Sequence, residues 1–133
     1  MNIILFYSSI AMLLSFIIIS IYFYKNNKLY YIICIIAIIA SILAILNHGY
    51  TSYFFKYLDR SFIIFTIVFH LFISYQFLKN KNYKYLILPI IFYIIAKCQN
   101  DKITKTYFHL LAHITIIFYH IILFSTNSRS FSI

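Results

Sequence analysis

Four residues of this chain have the types and positions that a metal centre inside a membrane would need. They are one aspartate and three histidines: Asp59, His48, His109 and His113. His109 and His113 are four residues apart, so on a helix their imidazoles share one face, one turn above the other. That spacing allows both rings to bind a single metal ion. Ionisable groups at membrane depth are costly and usually functional, so these residues are the first candidates for a site.

Zinc is the metal that this set of residues favours. A catalytic zinc takes three protein ligands and keeps a fourth position for water. His48 supplies the third imidazole beside His109 and His113, and Asp59 is placed to accept a proton from the water that the metal activates. The sequence therefore predicts Zn²⁺ held by the three histidines, with Asp59 as the base.

Two further histidines fit this site less well. His120 continues the face of His113 but lies about 10 Å further along the helix, at about 1.5 Å per residue, which is too far to share one metal. His70, midway along its span, is more simply a histidine that is hydrogen-bonded inside the bundle. A haem held between His70 and His120 is a third interpretation, ranked below the others.

The composition places the whole chain in a membrane. The 133 residues are 64% hydrophobic and 10% charged, with a mean hydropathy of +0.92, whereas soluble domains carry about 25% charged residues. The apolar runs approach the roughly 20 residues that cross a bilayer. We therefore expect an integral, multi-pass membrane protein: one all-α transmembrane helix bundle, 1–133, with a short polar, disordered tail at 125–133. The predicted spans are about 3–24, 29–46, 61–78, 83–96 and 107–124.

The order of the spans brings the candidate residues together. Spans two, three and five alternate in direction, so the ends that carry the aspartate and the three histidines emerge on one face of the bilayer. The segment Asn47–Ser52, which holds the only glycine, is expected to break the second helix, and an amphipathic stretch, 53–60, precedes the third. The fourth span is short, and Pro89 in its middle should kink it. It must nevertheless cross the membrane, because otherwise the fifth span would run in the opposite direction and its two histidines would not meet His48.

The basic residues are flanking residues rather than a binding patch. The net charge is +9, but the lysines and arginines lie at the ends of the apolar runs, where such side chains reach toward lipid headgroups. This pattern excludes a nucleic-acid partner and favours membrane lipids. It narrowly favours an external N-terminus. The first span has no small-residue cleavage site and is read as a retained anchor. Cys34 and Cys98 fall at different depths, so no disulfide is expected between them.

The pattern His48, then Asp59 eleven residues later, then His109-x-x-x-His113 resembles the CREST membrane hydrolases and receptors. That superfamily includes alkaline ceramidases, the adiponectin and progestin receptors and GPI-remodelling lipid hydrolases. The resemblance implies zinc ligation by the three histidines. It also implies that Asp59 works on the zinc-bound water to cleave amide or ester bonds of lipids.

The resemblance also implies a catalytic serine. In the family it lies one turn before the first histidine, a position that Ala44 fills here. Ser41, one turn further back on the same face, is the candidate in its place. Family members have seven spans where this chain has room for five, but the loss of two preserves the direction of the last helix.

Two main hypotheses follow from the sequence. The first is a zinc-dependent lipid amidase or esterase with Asp59 and Ser41 as catalytic residues. The second is a non-catalytic multi-spanning protein whose histidines are structural or bind metal incidentally. In that case Asp59 is an interfacial acid paired with Arg60 or Lys56.

Overall fold

The described part of the chain folds into five α-helices. A computed structural model describes residues 2–23, 28–78 and 81–128, and this part contains no strand. The helices are α1 (Ile3–Phe23), α2 (Lys28–Gly49), α3 (Tyr53–Ile73), α4 (Ile87–Cys98) and α5 (Lys102–Ser128), with a π-helical turn Ser74–Leu78 after α3 and a 3₁₀ helix Lys81–Leu86 before α4. The predicted all-α bundle is confirmed. Four helices, all except α4, are long and apolar enough to cross a membrane.

Helix α2 is longer than predicted and carries His48 inside it. It continues to Gly49, so the break between α2 and α3 is confined to residues 50–52. A side chain at Gly49 would meet the Phe6 ring of α1, since its Cβ would lie 2.9 Å from Phe6 Cε2. The glycine therefore allows α1 and the end of α2 to approach closely beside His48.

Helix α3 begins earlier than predicted, because the amphipathic stretch 53–60 forms its first two turns. Ser52 caps this helix, since its hydroxyl accepts a hydrogen bond from the Phe54 N–H at 3.3 Å. A serine in this position satisfies one of the free N–H groups of the first turn. Asp59 consequently lies within a regular helix, where its direction is fixed by the helix geometry.

Helix α5 begins five residues before the predicted span, at Lys102. The Asp101 carboxylate accepts hydrogen bonds from the N–H and the hydroxyl of Thr104, both at 2.7 Å. These bonds, the backbone N–H first, lower the pKa of Asp101 and keep a negative charge at the positive end of the helix. α5 continues to Ser128, through the first residues of the predicted polar tail. The rest of that tail, 129–133, lies outside the described residues.

The α-helix of the fourth segment is short, but a 3₁₀ helix before it lengthens the segment. The 3₁₀ helix Lys81–Leu86 leads directly into α4, and the two together reach about 30 Å, because a 3₁₀ helix rises about 2.0 Å per residue and an α-helix about 1.5 Å. A bilayer core is also about 30 Å thick. Pro89 is the third residue of α4, so the backbone N–H that proline lacks falls next to the junction with the 3₁₀ helix, where the hydrogen-bond pattern changes.

Because the fourth segment connects the far end of α3 to the start of α5, we expect its two ends on opposite sides of the membrane. In a chain with Cys34→Ala and Cys98→Ser, a single cysteine at Lys81 and one at Lys102 should react with an impermeant thiol reagent from opposite sides. A cysteine at Tyr53, at the start of α3, serves as the control and should label with Lys102. Labelling of positions 81 and 102 from the same side would contradict this topology.

The helices form an arc around an internal cavity. α1 packs against α2 and α5, α2 also packs against α3, and α4 packs against α5. The order around the bundle is therefore α3, α2, α1, α5, α4, with α3 and α4 at the two ends of the arc. The buried residues of α2 include three small ones at intervals of three or four residues, Ala37, Ser41 and Ala44, a spacing that is common in packed membrane helices.

Asn2 fixes the depth at which α1, α2 and α5 meet. Its backbone N–H donates to the His48 carbonyl at 3.3 Å, and its side-chain amide donates to Thr106 Oγ1 at 2.9 Å. The start of α1, the end of α2 and the start of α5 are thus joined at one end of the bundle. This is the end at which the sequence predicts the metal site.

Candidate metal centre

The three predicted histidine ligands come together at one end of the bundle. His48 extends the inward face of α2, four residues after Ala44, and His109 and His113 lie on the buried face of α5. The ring centroids are 5.0 Å apart for His48 and His109, 5.9 Å for His48 and His113, and 4.9 Å for His109 and His113. The predicted convergence of these residues on one face of the bundle is therefore observed.

The geometry of the three imidazoles fits a small metal ion. One nitrogen from each ring can be chosen so that all three lie within 4.8 Å of one another. Around a tetrahedral zinc, with Zn–N bonds of about 2.0–2.1 Å, the nitrogens would be roughly 3.3 Å apart, so small side-chain rotations would close the site. His48 Nε2 is buried and has no hydrogen-bond partner among the residues described. A metal ion would satisfy this atom.

Ser8 of α1 orients one of the three rings. Its Oγ lies 2.8 Å from His113 Nδ1 and donates to the Leu5 carbonyl at 3.0 Å. When Nε2 of this ring binds a metal, Nδ1 carries the proton and donates to Ser8 Oγ, which acts as the acceptor. Metal-binding histidines generally have such a partner on the other nitrogen. The sequence pattern did not identify Ser8.

Replacing Ser8 by Ala should weaken zinc binding by about 10- to 100-fold, the usual cost of removing a hydrogen-bond partner from a metal-bound histidine. The physical reason is that His113 Nδ1–H loses its acceptor and the ring is no longer held in one orientation. Ser9→Ala is the matched control, because Ser9 is buried on the same helix and donates to the same Leu5 carbonyl at 2.8 Å. Competition with a zinc chelator measures both, and equal affinities would contradict this role for Ser8.

Asp59 is a buried carboxylate beside the cluster. It is 3% exposed and lines the same cavity as His109 and His113, but it is outside the group of candidate metal ligands. Its Oδ2 accepts a hydrogen bond from the Asn47 side chain at 2.6 Å. Asn47, which immediately precedes His48 in sequence, is thus the partner of Asp59 in the structure. Its proximity to His48 was the only sequence signal for this role.

Ser41 lies away from the cluster. Its hydroxyl donates to the Ala37 carbonyl at 2.8 Å, and the residue is fully buried. It lies seven residues before His48, which is about 10 Å along α2, and it is not among the residues that line the cavity. Ser41 therefore contributes to the packing of α2. The serine that contacts a histidine of the cluster is Ser8.

An aromatic residue of α4, Tyr93, packs against the cluster. The edge of the Tyr93 ring packs against His109, with the centroids 5.5 Å apart, and the Lys97 ammonium lies 4.8 Å from the Tyr93 ring centre. Tyr93 also lines the cavity with Asp59. The fourth helix therefore contributes a side chain to the surroundings of the cluster.

The cavity runs from the three-histidine cluster into the bundle. Its volume is about 130 Å³ and its lining is almost entirely apolar, contributed by all five helices. At the other end it reaches His70 and His120. No protein-family model, curated protein or solved structure matches the chain.

Proposed function

We propose that this protein is a zinc-dependent membrane hydrolase that cleaves an amide or ester bond of a lipid. The observation that carries the proposal is the cluster of three imidazoles, two of which, His109 and His113, line an apolar cavity together with the buried carboxylate of Asp59. Such a combination offers a place for a metal, a proton acceptor and a space for an apolar substrate.

The ligand set fits zinc with an open position. Three neutral imidazoles are the ligands, and no fourth protein ligand completes the group among the residues described. A zinc ion bound there would polarise a carbonyl and activate water for attack. The hydrogen bond from His113 to Ser8 and the buried, unpartnered His48 Nε2 support this assignment.

Asp59 is the proton acceptor in the proposed reaction. It takes a proton from the attacking water, whose oxygen forms the new bond to the carbonyl carbon. The C–N or C–O bond then breaks, and Asp59 returns the proton to the departing amine or alcohol. Asn47 holds Oδ2 of the carboxylate, so Oδ1 remains as the atom that exchanges the proton.

The shape of the bundle supports a substrate that arrives from the membrane. The cavity of about 130 Å³ is similar in size to a roughly 150 Å³ apolar cavity that binds one benzene molecule, so it holds only a segment of a lipid chain. The rest of the lipid must extend out of the cavity. The packing between helices is least continuous between α3 and α4, the two ends of the arc. We infer that the lipid enters between α3 and α4.

The test is hydrolysis by the purified protein in lipid nanodiscs. A panel of long-chain lipid amides and esters is incubated with the protein, and released fatty acid is measured by mass spectrometry. We expect turnover of at least one class, loss of turnover after treatment with a zinc chelator, and recovery when zinc is returned. If the protein contains zinc but hydrolyses no member of either class, the non-catalytic alternative is correct.

A further inference from the structure

A second pair of histidines faces the opposite end of the cavity. His70 of α3 and His120 of α5 have ring centroids 5.0 Å apart, a separation within the range found in the three-histidine cluster. Each residue is 1% exposed. Nε2 of each ring is buried and has no hydrogen-bond partner in the described part of the chain. An unpaired buried polar atom is destabilising, so two such atoms on one cavity point to a ligand site.

The hydrogen bond of His120 determines which of its nitrogens is available. Its Nδ1 lies 2.8 Å from the Ile116 carbonyl, and only a protonated Nδ1 can donate to a carbonyl oxygen. In the neutral ring, Nε2 therefore carries the lone pair. A ring nitrogen that donates to a backbone carbonyl while the other is free is the usual arrangement of a metal-binding histidine. His70 Nδ1 lies 3.4 Å from the Tyr119 hydroxyl.

We propose that His70 and His120 bind a copper(I) ion at a second metal site, separate from the three-histidine cluster. The charge balance favours a monovalent ion. The chain has only two acidic residues, Asp59 and Asp101, and Asp59 is eleven residues, or about 16 Å along α3, from His70. Since the cost of moving an ion into an apolar medium rises with the square of its charge, a divalent ion without a nearby carboxylate is the poorer fit.

The surrounding residues favour copper and exclude haem. Met12 lines the same cavity one turn from Phe16, whose ring packs against His120 at 4.6 Å. Thioether and imidazole ligands together suit copper(I). A haem would have to place its porphyrin between the two imidazoles, which are already in edge contact, with Tyr119 packed against both rings. A bare ion needs no such space.

Copper retention by the purified full-length protein in nanodiscs tests this site. The protein is loaded with copper(I) under ascorbate, washed with the copper(I) chelator bicinchoninate, and assayed for copper and zinc in the same sample. Wild type should retain one copper per chain. His70→Leu and His120→Leu should each lose the copper and keep the zinc, whereas His113→Ala should lose the zinc and keep the copper. Met12→Leu should reduce copper retention.

The reciprocal losses separate this site from the proposed zinc site, and in each variant the metal that is retained reports that the protein is folded. X-ray absorption of the copper-loaded wild type should show nitrogen ligands with a sulfur contribution, and that sulfur contribution should be absent in Met12→Leu. The proposal is overturned if wild type retains no copper, if both leucine variants retain it fully, or if His113→Ala loses both metals. An oxygen-only copper environment would overturn it as well.

Discussion

Replacing Asp59 by Asn is expected to abolish lipid hydrolysis while the protein keeps its zinc. Asn has nearly the same shape and can still bond to Asn47, which holds Oδ2 at 2.6 Å in the native protein, but it cannot accept a proton from water. General-base catalysis contributes about 10²- to 10⁴-fold, so the rate constant should fall by at least about 100-fold. The measurement is initial-rate hydrolysis together with zinc content on the same preparation.

The other acidic residue of the chain provides the matched control. Asp101 is exposed and caps α5, and Asp101→Asn preserves an acceptor for the Thr104 N–H. It should therefore leave both the rate and the zinc content unchanged. If Asp59→Asn retains the wild-type rate, Asp59 is not the base. If it loses zinc as well, the carboxylate supports the metal site rather than the proton transfer.

Removing any one of the three imidazoles is expected to release the zinc. His48→Ala, His109→Ala and His113→Ala each leave two ligands where a zinc site needs three. A bound metal stabilises the folded state, by about 2.7 kcal/mol when free zinc is 100-fold above its Kd. Chelation should therefore lower the thermal midpoint of wild type and leave that of each variant unchanged. His120→Leu is the control, because His120 lies outside the cluster, and it should respond to chelation as wild type does.

The sequence was sufficient to predict the helices and the end of the bundle at which the three histidines meet. Long apolar runs specify membrane helices almost irrespective of their partners, because every backbone group must be satisfied within the segment. The alternating direction of the spans then determines which ends meet. His48, at the end of one helix, and His109 with His113, at the start of another, had to reach the same end of the bundle.

Contacts between helices were not predictable in the same way. Ser8 and His113 are 105 residues apart, and their contact depends on the rotation and vertical offset of α1 against α5, which small differences in packing decide. Ser41 was predicted from its spacing to His48 along α2. That spacing carries no information about which residues of a neighbouring helix contact the cluster. The early starts of α3 and α5 did have local signals, because Ser52 and Asp101 are typical N-cap residues.

X-ray absorption at the zinc edge, combined with the metal content of the purified wild-type protein, tests the three-histidine centre most directly. We predict one zinc per chain, with three nitrogen ligands at about 2.0–2.1 Å and one oxygen ligand, and loss of that signal in His109→Ala. A wild-type protein that binds no zinc from zinc-containing medium, or binds it with the same spectrum after His109→Ala, would contradict the assignment of His48, His109 and His113 as the metal ligands.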